Sequence, residues 1–200
     1  MTSADSSVAF PVIALVCSVG GADALMRVLG PLPADLPAAV VALQHLDPRQ
    51  VSSLTDRLAG VCALSVRVAV DGARLQAGVV EVVPPGRHLL LAAQDRLMLV
   101  DSLERPAPRP SADLLLVSMA AVLGARLLAV VLSGNGDDGA VGVQVVARYG
   151  GRILVQDEAT SRAYAMPAAA LAAGGSAAPV ALDDLAGVLM SMIATAGPSR

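Results

Sequence analysis

Three side chains that hydrolytic chemistry uses stand at the ends of apolar runs in this chain. PVIALVC (11–17) stops at Ser18, which Val19, Gly20 and Gly21 follow. AAVVAL (38–43) stops at Gln44, His45 and Leu46. LLAVVL (127–132) stops at SGNGDDG (133–139), which carries Asp137 and Asp138. The chain has only 2 histidines, and one of them stands at such an end. In an open parallel α/β sheet, chemistry gathers outside the carboxyl ends of the strands. A hydroxyl, an imidazole and a carboxylate therefore converge on one sheet edge, the inventory of a Ser-His-Asp hydrolase. Ser18 would be the nucleophile, His45 would take its proton, and Asp138 would hold the imidazolium. The glycines after Ser18 allow a sharp turn, and peptide N–H groups at the following helix start can meet a developing oxyanion. Each residue also has a plainer reading. Ser18 can be a helix N-cap, His45 a surface or structural histidine, and Asp137 and Asp138 turn formers. Those three plain readings are harder to hold together than singly.

The same glycine loop has a rival interpretation. Gly134, Gly136 and Gly139 spell G-x-G-x-x-G, and Asp157 follows about 20 residues on, the outline of a dinucleotide-binding fingerprint. However, Asp137 and Asp138 occupy the positions that should face a pyrophosphate at a helix N-terminus, and two carboxylates there repel phosphate. The loop also comes late, at residue 134 of 200, whereas a fingerprint normally opens its domain. Cys17 is a rival nucleophile by residue type, but it falls where the strand still points inward.

The elements that must position these groups follow from the patterning. At 200 residues the chain can bury a substantial core. Hydrophobic residues make up 55% and aromatic residues 2%, so Ala, Val and Leu must fill that core, which suits buried parallel strands under closely packed helices. Apolar runs at 11–17, 38–43, 127–132 and 152–156 predict strands. Helices are expected at the segment after Gly21 and at about 49–60, 112–124, 139–149, 167–173 and 183–195, with AAPVAL before the last a further strand. Ser111 is a plausible N-cap, and Asp113 sits in the first turn where the dipole favours an acid. The middle differs. SVRVAV, VVEVVPPG, HLLLAA and RLMLV are short runs between turn signals and predict hairpin-forming strands. The fold class expected is α/β, a doubly wound and mostly parallel sheet, Rossmann-like and three-layered, with an antiparallel hairpin insert. The organisation expected is a disordered tail at 1–10, one catalytic domain at 11–195 and a short tail at 196–200.

Composition also excludes. A net charge of −3 offers no basic surface to nucleic acid. Two cysteines make no disulfide framework and no metal spacing, so a reducing, cytoplasmic setting is expected. The N-terminal apolar run lacks the basic flank of a secretion signal. Residues 163–182 carry no charge, but prolines and glycines interrupt them, so no membrane insertion is expected.

In this order, the residues resemble the catalytic domain of the CheB family, the chemotaxis receptor protein-glutamate methylesterases. CSVGGADAL matches the family's A-S-T-G-G motif, LQHLDP its Q-H-M-P motif, and VVPPGRHL its A-P-G-x-x-H segment. PRPSADLL matches R-P-S-V-D, and LSGNGDDGAVG matches T-G-M-G-x-D-G. DEATSRAYAMPAAALAAGG resembles the stretch that follows, so the likeness runs from about residue 11 to 190. The resemblance implies hydrolysis of glutamyl γ-methyl esters on the cytoplasmic helices of methyl-accepting chemoreceptors, with deamidation of receptor glutamines as a second reaction. It implies Ser18, His45 and Asp138 as the triad, with backbone N–H groups of Val19 and Asn135 toward the oxyanion. Arg109 would contact an acidic receptor segment and Met166 would shape the cleft wall. No cofactor and no metal are implied. His88 follows the PPGR turn, where a surface role is expected, with a place in the cleft lining as the alternative.

The chain also departs from the family pattern. Val19 replaces Thr, Asn135 replaces Met, and Asp137 replaces Asn beside the catalytic Asp, where an extra carboxylate can raise the Asp138 pKa. Val16 and Cys17 replace smaller residues. The phosphoacceptor receiver domain of typical members is not seen before residue 11. A stand-alone enzyme is therefore expected, either constitutively competent or controlled by a separate regulator or by its expression level. The alternatives are a catalytically idle receptor-binding scaffold and a serine esterase or amidase with another substrate.

Overall fold

Every residue of the first strand, β1 (Val12–Cys17), is buried, as a strand covered on both faces requires. Its side chains alternate between two cores. Val12, Ala14 and Val16 join one apolar cluster, while Ile13, Leu15 and Cys17 join the other. The computed structural model describes residues 10–46, 52–101, 110–174 and 178–195. From β1 the chain forms α1 (Gly21–Leu29), β2 (Ala39–Gln44), α2 (Leu54–Ala59), β3 (Ser65–Val68) and β4 (Val79–Val82). The hairpin β5 (His88–Ala92) and β6 (Arg96–Val100) follows, then α3 (Ala112–Leu123), β7 (Leu127–Val131) and α4 (Ala140–Arg148). The last elements are β8 (Arg152–Gln156), α5 (Ala165–Ala172), β9 (Ala178–Val180) and α6 (Leu185–Thr195).

The main sheet has 7 strands in the order β3-β4-β2-β1-β7-β8-β9. All its pairings are parallel. Helices α3, α4 and α5 contribute to the first cluster with the hairpin, and α1, α2 and α6 to the second. This is the three-layered, doubly wound α/β arrangement that the alternation of runs predicted. Edge strand β9 carries Pro179, whose missing N–H an edge tolerates. No helix among the described residues is long and apolar enough to cross a membrane.

The middle of the chain corrects one expectation. Of the four short runs read as hairpin strands, only β5 and β6 pair antiparallel. Strands β3 and β4 pair in parallel and extend the main sheet. The Asp71-Gly72 turn does not fold β3 back on its neighbour. Instead the segment after it runs alongside β6, with Gly72 N–H to Leu97 O at 2.8 Å and Leu97 N–H to Ala73 O at 2.7 Å. The turn signals were local and correct, but the partner that a turn delivers is decided by long-range pairing.

The topology concentrates the strand ends that matter. The chain winds outward from β1 through β2, then returns to lay β7 against the other side of β1. The strand order thus reverses at β1, and a crevice opens there beyond the carboxyl ends. Ser18, His45 and the 133–139 loop all follow those three strands.

Candidate active site

The loop after β1 is held against the loop after β7. Ser18 N–H donates to Ser133 O at 3.0 Å, and Ser133 Oγ donates to Val19 O at 2.7 Å. Ser133 is 1% exposed and also accepts from Ala163 N–H at 3.0 Å. Its own N–H goes to Gln156 Oε1 at 2.8 Å. One buried serine therefore grips the chain on both sides of Ser18. From β2, His45 N–H donates to Cys17 O at 2.9 Å, which seats His45 beside the same turn.

Gly134 explains why this loop needs its first glycine. A Cβ there would lie 2.7 Å from Met166 Sδ, 2.9 Å from Ser18 Cβ and 3.1 Å from Ser18 N. The backbone passes too close to Ser18 for any side chain. Gly139 meets a different need, a φ of +109° at the start of α4. Gly134 thus serves close approach and Gly139 turning.

His45 and Asp138 meet directly, with Nε2 2.7 Å from Asp138 Oδ2 and both side chains 12% exposed. Asp138 is further held by the first turn of α3. Oδ2 accepts from Ala112 N–H at 2.7 Å, and Oδ1 accepts from Asp113 N–H and from Ser111 Oγ, each at 3.0 Å. These donors are the groups that a helix start leaves without internal partners. Burial alone would raise the Asp138 pKa. The hydrogen bond from His45 and the N–H groups of Asp113 and Ala112 outweigh it, and the carboxyl ends below its ordinary range. Asp138 is thus ionised at neutral pH, and Nε2 of His45 carries the hydrogen between them.

Ser111 is the N-cap of α3, as expected, with its Oγ accepting from Leu114 N–H. The role of Asp113 is different from expectation. It sits in the first turn of α3, but its Oδ1 accepts from Gly139 N–H at 2.9 Å and Gly142 N–H at 2.7 Å, at the start of α4. The two helices exchange carboxylates: Asp138 serves α3, and Asp113 serves α4. Burial pushes the Asp113 carboxyl up; the Gly142 N–H works against this, and the charge of Asp138 adds to it. The carboxylate that crowds Asp138 is therefore Asp113. Asp137, the sequence neighbour expected in that role, is exposed. Asp113→Ala is expected to cost about 1–2 kcal/mol of stability, the value of a lost cap, and Asp113→Asn less, because the amide oxygen still accepts. Urea unfolding of both variants checks this.

Val19 and Asn135 are exposed in the loops that flank Ser18, and among the described residues neither N–H is used by the fold. The Ser18 hydroxyl is half-buried and likewise takes no hydrogen bond among the described residues. Met166 does not line an open wall. It is 1% exposed, donates from its N–H to Gly134 O at 2.9 Å and packs beneath the loop. Arg109 lies outside the described residues. Cys17 is fully buried, its thiol donates to Leu43 O at 3.4 Å, and burial pushes its pKa up, so the thiolate a nucleophile needs is disfavoured.

His88 corrects the sequence reading outright. It is 3% exposed at the start of β5, and its Nδ1 accepts from Ser111 N–H at 3.2 Å. The PPGR turn precedes it, but the strand that begins there is buried against α3. Sequence reasoning also passed over Ser133. The only signal for it was a small polar residue directly after a strongly apolar strand.

The fold gathers these residues at the switch point of a doubly wound α/β domain. The chain belongs to the CheB methylesterase family, whose model matches residues 13–189. It is 38% identical over 183 residues to a protein-glutamate methylesterase/protein-glutamine glutaminase of Nitratidesulfovibrio vulgaris, covering 90% of this chain and 50% of that protein. A protein of the same description from Myxococcus xanthus is 39% identical over 187 residues, covering 90% and 53%. The chain thus spans about half the length of the curated relatives it matches. Among solved structures, the CheB methylesterase catalytic domain of Thermotoga maritima superposes with a TM-score of 0.87 at 29% identity, covering 92% of this chain and 99% of that one.

Proposed function

We propose that this protein is a serine hydrolase that removes methyl groups from glutamyl γ-methyl esters of methyl-accepting chemoreceptors, and that the same site deamidates receptor glutamines. The observation that carries this reading is the His45–Asp138 contact beside Ser18, with Asp138 held ionised by the start of α3. Relatives that share this domain are described as protein-glutamate methylesterases and glutaminases, which supplies the substrate class.

The chemistry follows from which nitrogen is engaged. Nε2 of His45 is committed to Asp138, so Nδ1 is the nitrogen left to take the Ser18 proton. This is the reverse of the familiar protease arrangement, in which Nδ1 faces the aspartate. As the Ser18 oxygen attacks the ester carbonyl, its proton passes to His45 Nδ1. The imidazolium is stabilised by Asp138, and the N–H groups of Val19 and Asn135 meet the oxyanion. Collapse of the tetrahedral intermediate returns the proton to the leaving oxygen and releases methanol. Water, deprotonated by His45, then cleaves the acyl-enzyme to glutamate.

The test is methanol release from a methylated chemoreceptor fragment. Release by the wild type and none by Ser18→Ala supports the reading. No release by either folded protein would leave a receptor-binding scaffold or another substrate.

Gly134→Ala is expected to lower turnover about 10–100-fold, since a displacement near 1 Å at reacting groups has that effect. The added Cβ must push either Ser18 or Met166. Comparing kcat with the thermal midpoint separates the two: movement of Ser18 lowers kcat, and movement of Met166 alone lowers stability.

A further inference from the structure

The hydrolysis described above leaves the second histidine without a task. His88 opens β5 and is 3% exposed. Its Nδ1 accepts from Ser111 N–H, so that nitrogen carries no proton. The N–H it binds sits at the N-cap of α3, where no group of the helix itself can accept it. Directly after that N–H, in chain order, come three donors aimed at Asp138: the Ser111 hydroxyl, Ala112 N–H and Asp113 N–H. The orientation of the Ser111 peptide therefore sets the direction of all three. His88 itself is held rigidly. It pairs with Val100 in the hairpin, and the hairpin is tied to α3 by Leu91 N–H to Ser118 Oγ at 3.0 Å.

We propose that His88 is a positioning residue: its Nδ1 locks the first turn of α3 in the orientation that holds Asp138, and through Asp138 it directs the His45 ring. The inference rests on the reading of Ser18, His45 and Asp138 as the hydrolytic site. It also gives the antiparallel hairpin a function, as the strut that brings an acceptor to the helix start.

The chemistry required is an acceptor at the Nδ1 position. Asparagine places its side-chain oxygen there. Glutamine reaches instead toward the Nε2 position, and alanine offers nothing. The experiment measures kcat and KM for methyl-ester hydrolysis in the wild type, His88→Ala, His88→Gln and His88→Asn, together with the His45 Nε2–H proton resonance in each protein. Expected are a kcat loss of about 10–100-fold in the Ala and Gln variants, a KM within about twofold, and recovery to within about threefold of wild type in the Asn variant. The His45 resonance is expected to broaden in Ala and Gln and to persist in Asn. Equal losses in all three variants with an unchanged resonance would overturn the proposal, as would full activity in the Ala variant. If His88→Ala does not fold, the Asn and Gln pair decides. If the wild type shows no Ser18-dependent methanol release, the functional reading has failed, and the resonance alone decides the positioning role: an unchanged signal in His88→Gln overturns it.

Discussion

Ser18→Ala is expected to lower kcat for methyl-ester hydrolysis by about 10⁵-fold or more, with folding unchanged. The size follows from removal of the only atom that can form the acyl-enzyme. The loops, the oxyanion donors and substrate binding would survive. Those remaining groups still give a residual rate about 10³–10⁴ above water, so the variant should be slow rather than dead. Structural disturbance should be small. Ser18 is held through its backbone N–H to Ser133 O, and its hydroxyl takes no hydrogen bond among the described residues. A single-turnover methanol assay at high enzyme concentration measures the residual rate. Matching thermal midpoints for the two proteins would confirm that chemistry alone was lost. A variant that keeps more than about a tenth of wild-type kcat would show that another group attacks, since loss of a triad nucleophile cannot be so mild.

Asp138→Asn is expected to lower kcat about 10⁴-fold and to destabilise the protein by about 1–3 kcal/mol. Four donors converge on the two oxygens of Asp138: His45 Nε2–H, Ala112 N–H, Asp113 N–H and the Ser111 hydroxyl. An amide keeps one oxygen and replaces the other by NH₂. With NH₂ at the Oδ2 position, it confronts Ala112 N–H and forces His45 to accept on Nε2. The hydrogen then moves to Nδ1, which can no longer take the serine proton. With NH₂ at the Oδ1 position, His45 keeps its partner, but Asp113 N–H faces another donor. Each orientation breaks either the tautomer or the cap.

The same variant changes how stability depends on pH. The folded-state pKa of Asp138 is lowered relative to its unfolded value. Its contribution to stability is therefore fully present above about pH 4, the unfolded carboxyl value, and is lost as pH falls through the lower folded value. Asp138→Asn should remove that part of the acid sensitivity and leave the curve above pH 4 parallel to wild type. Denaturant unfolding between pH 2 and pH 7, a range chosen to span that transition, makes the comparison. A variant with the same acid slope as wild type would show that Asp138 does not gain its stabilisation from ionised contacts.

Much of this protein was legible in one dimension. Buried parallel strands leave continuous apolar runs, and in β1, β2 and β7 the residue types alone marked both the strand and its end. Because parallel strands place their carboxyl ends on one edge, the sequence already put Ser18, His45 and Asp138 on that edge, and the contact of His45 with Asp138 follows from it. The N-cap at Ser111 was visible for the same local reason, a hydroxyl preceding a helical run.

What only the tertiary structure decided was which donor meets which acceptor. Strand partnership is a long-range choice, so the Asp71-Gly72 turn could not reveal that β3 and β4 extend the main sheet in parallel. The exchange of Asp113 and Asp138 between two helix starts joins residues 25 positions apart through contacts that no periodicity encodes. His88 was placed at the surface and Ser133 passed over because burial is a property of the assembled layers: each is a polar residue at or just beyond a strand terminus, where sequence alone expects solvent. The hydrophobic pattern determines where the strands end, and packing of the layers determines which polar groups at those ends are sealed in and must find one another.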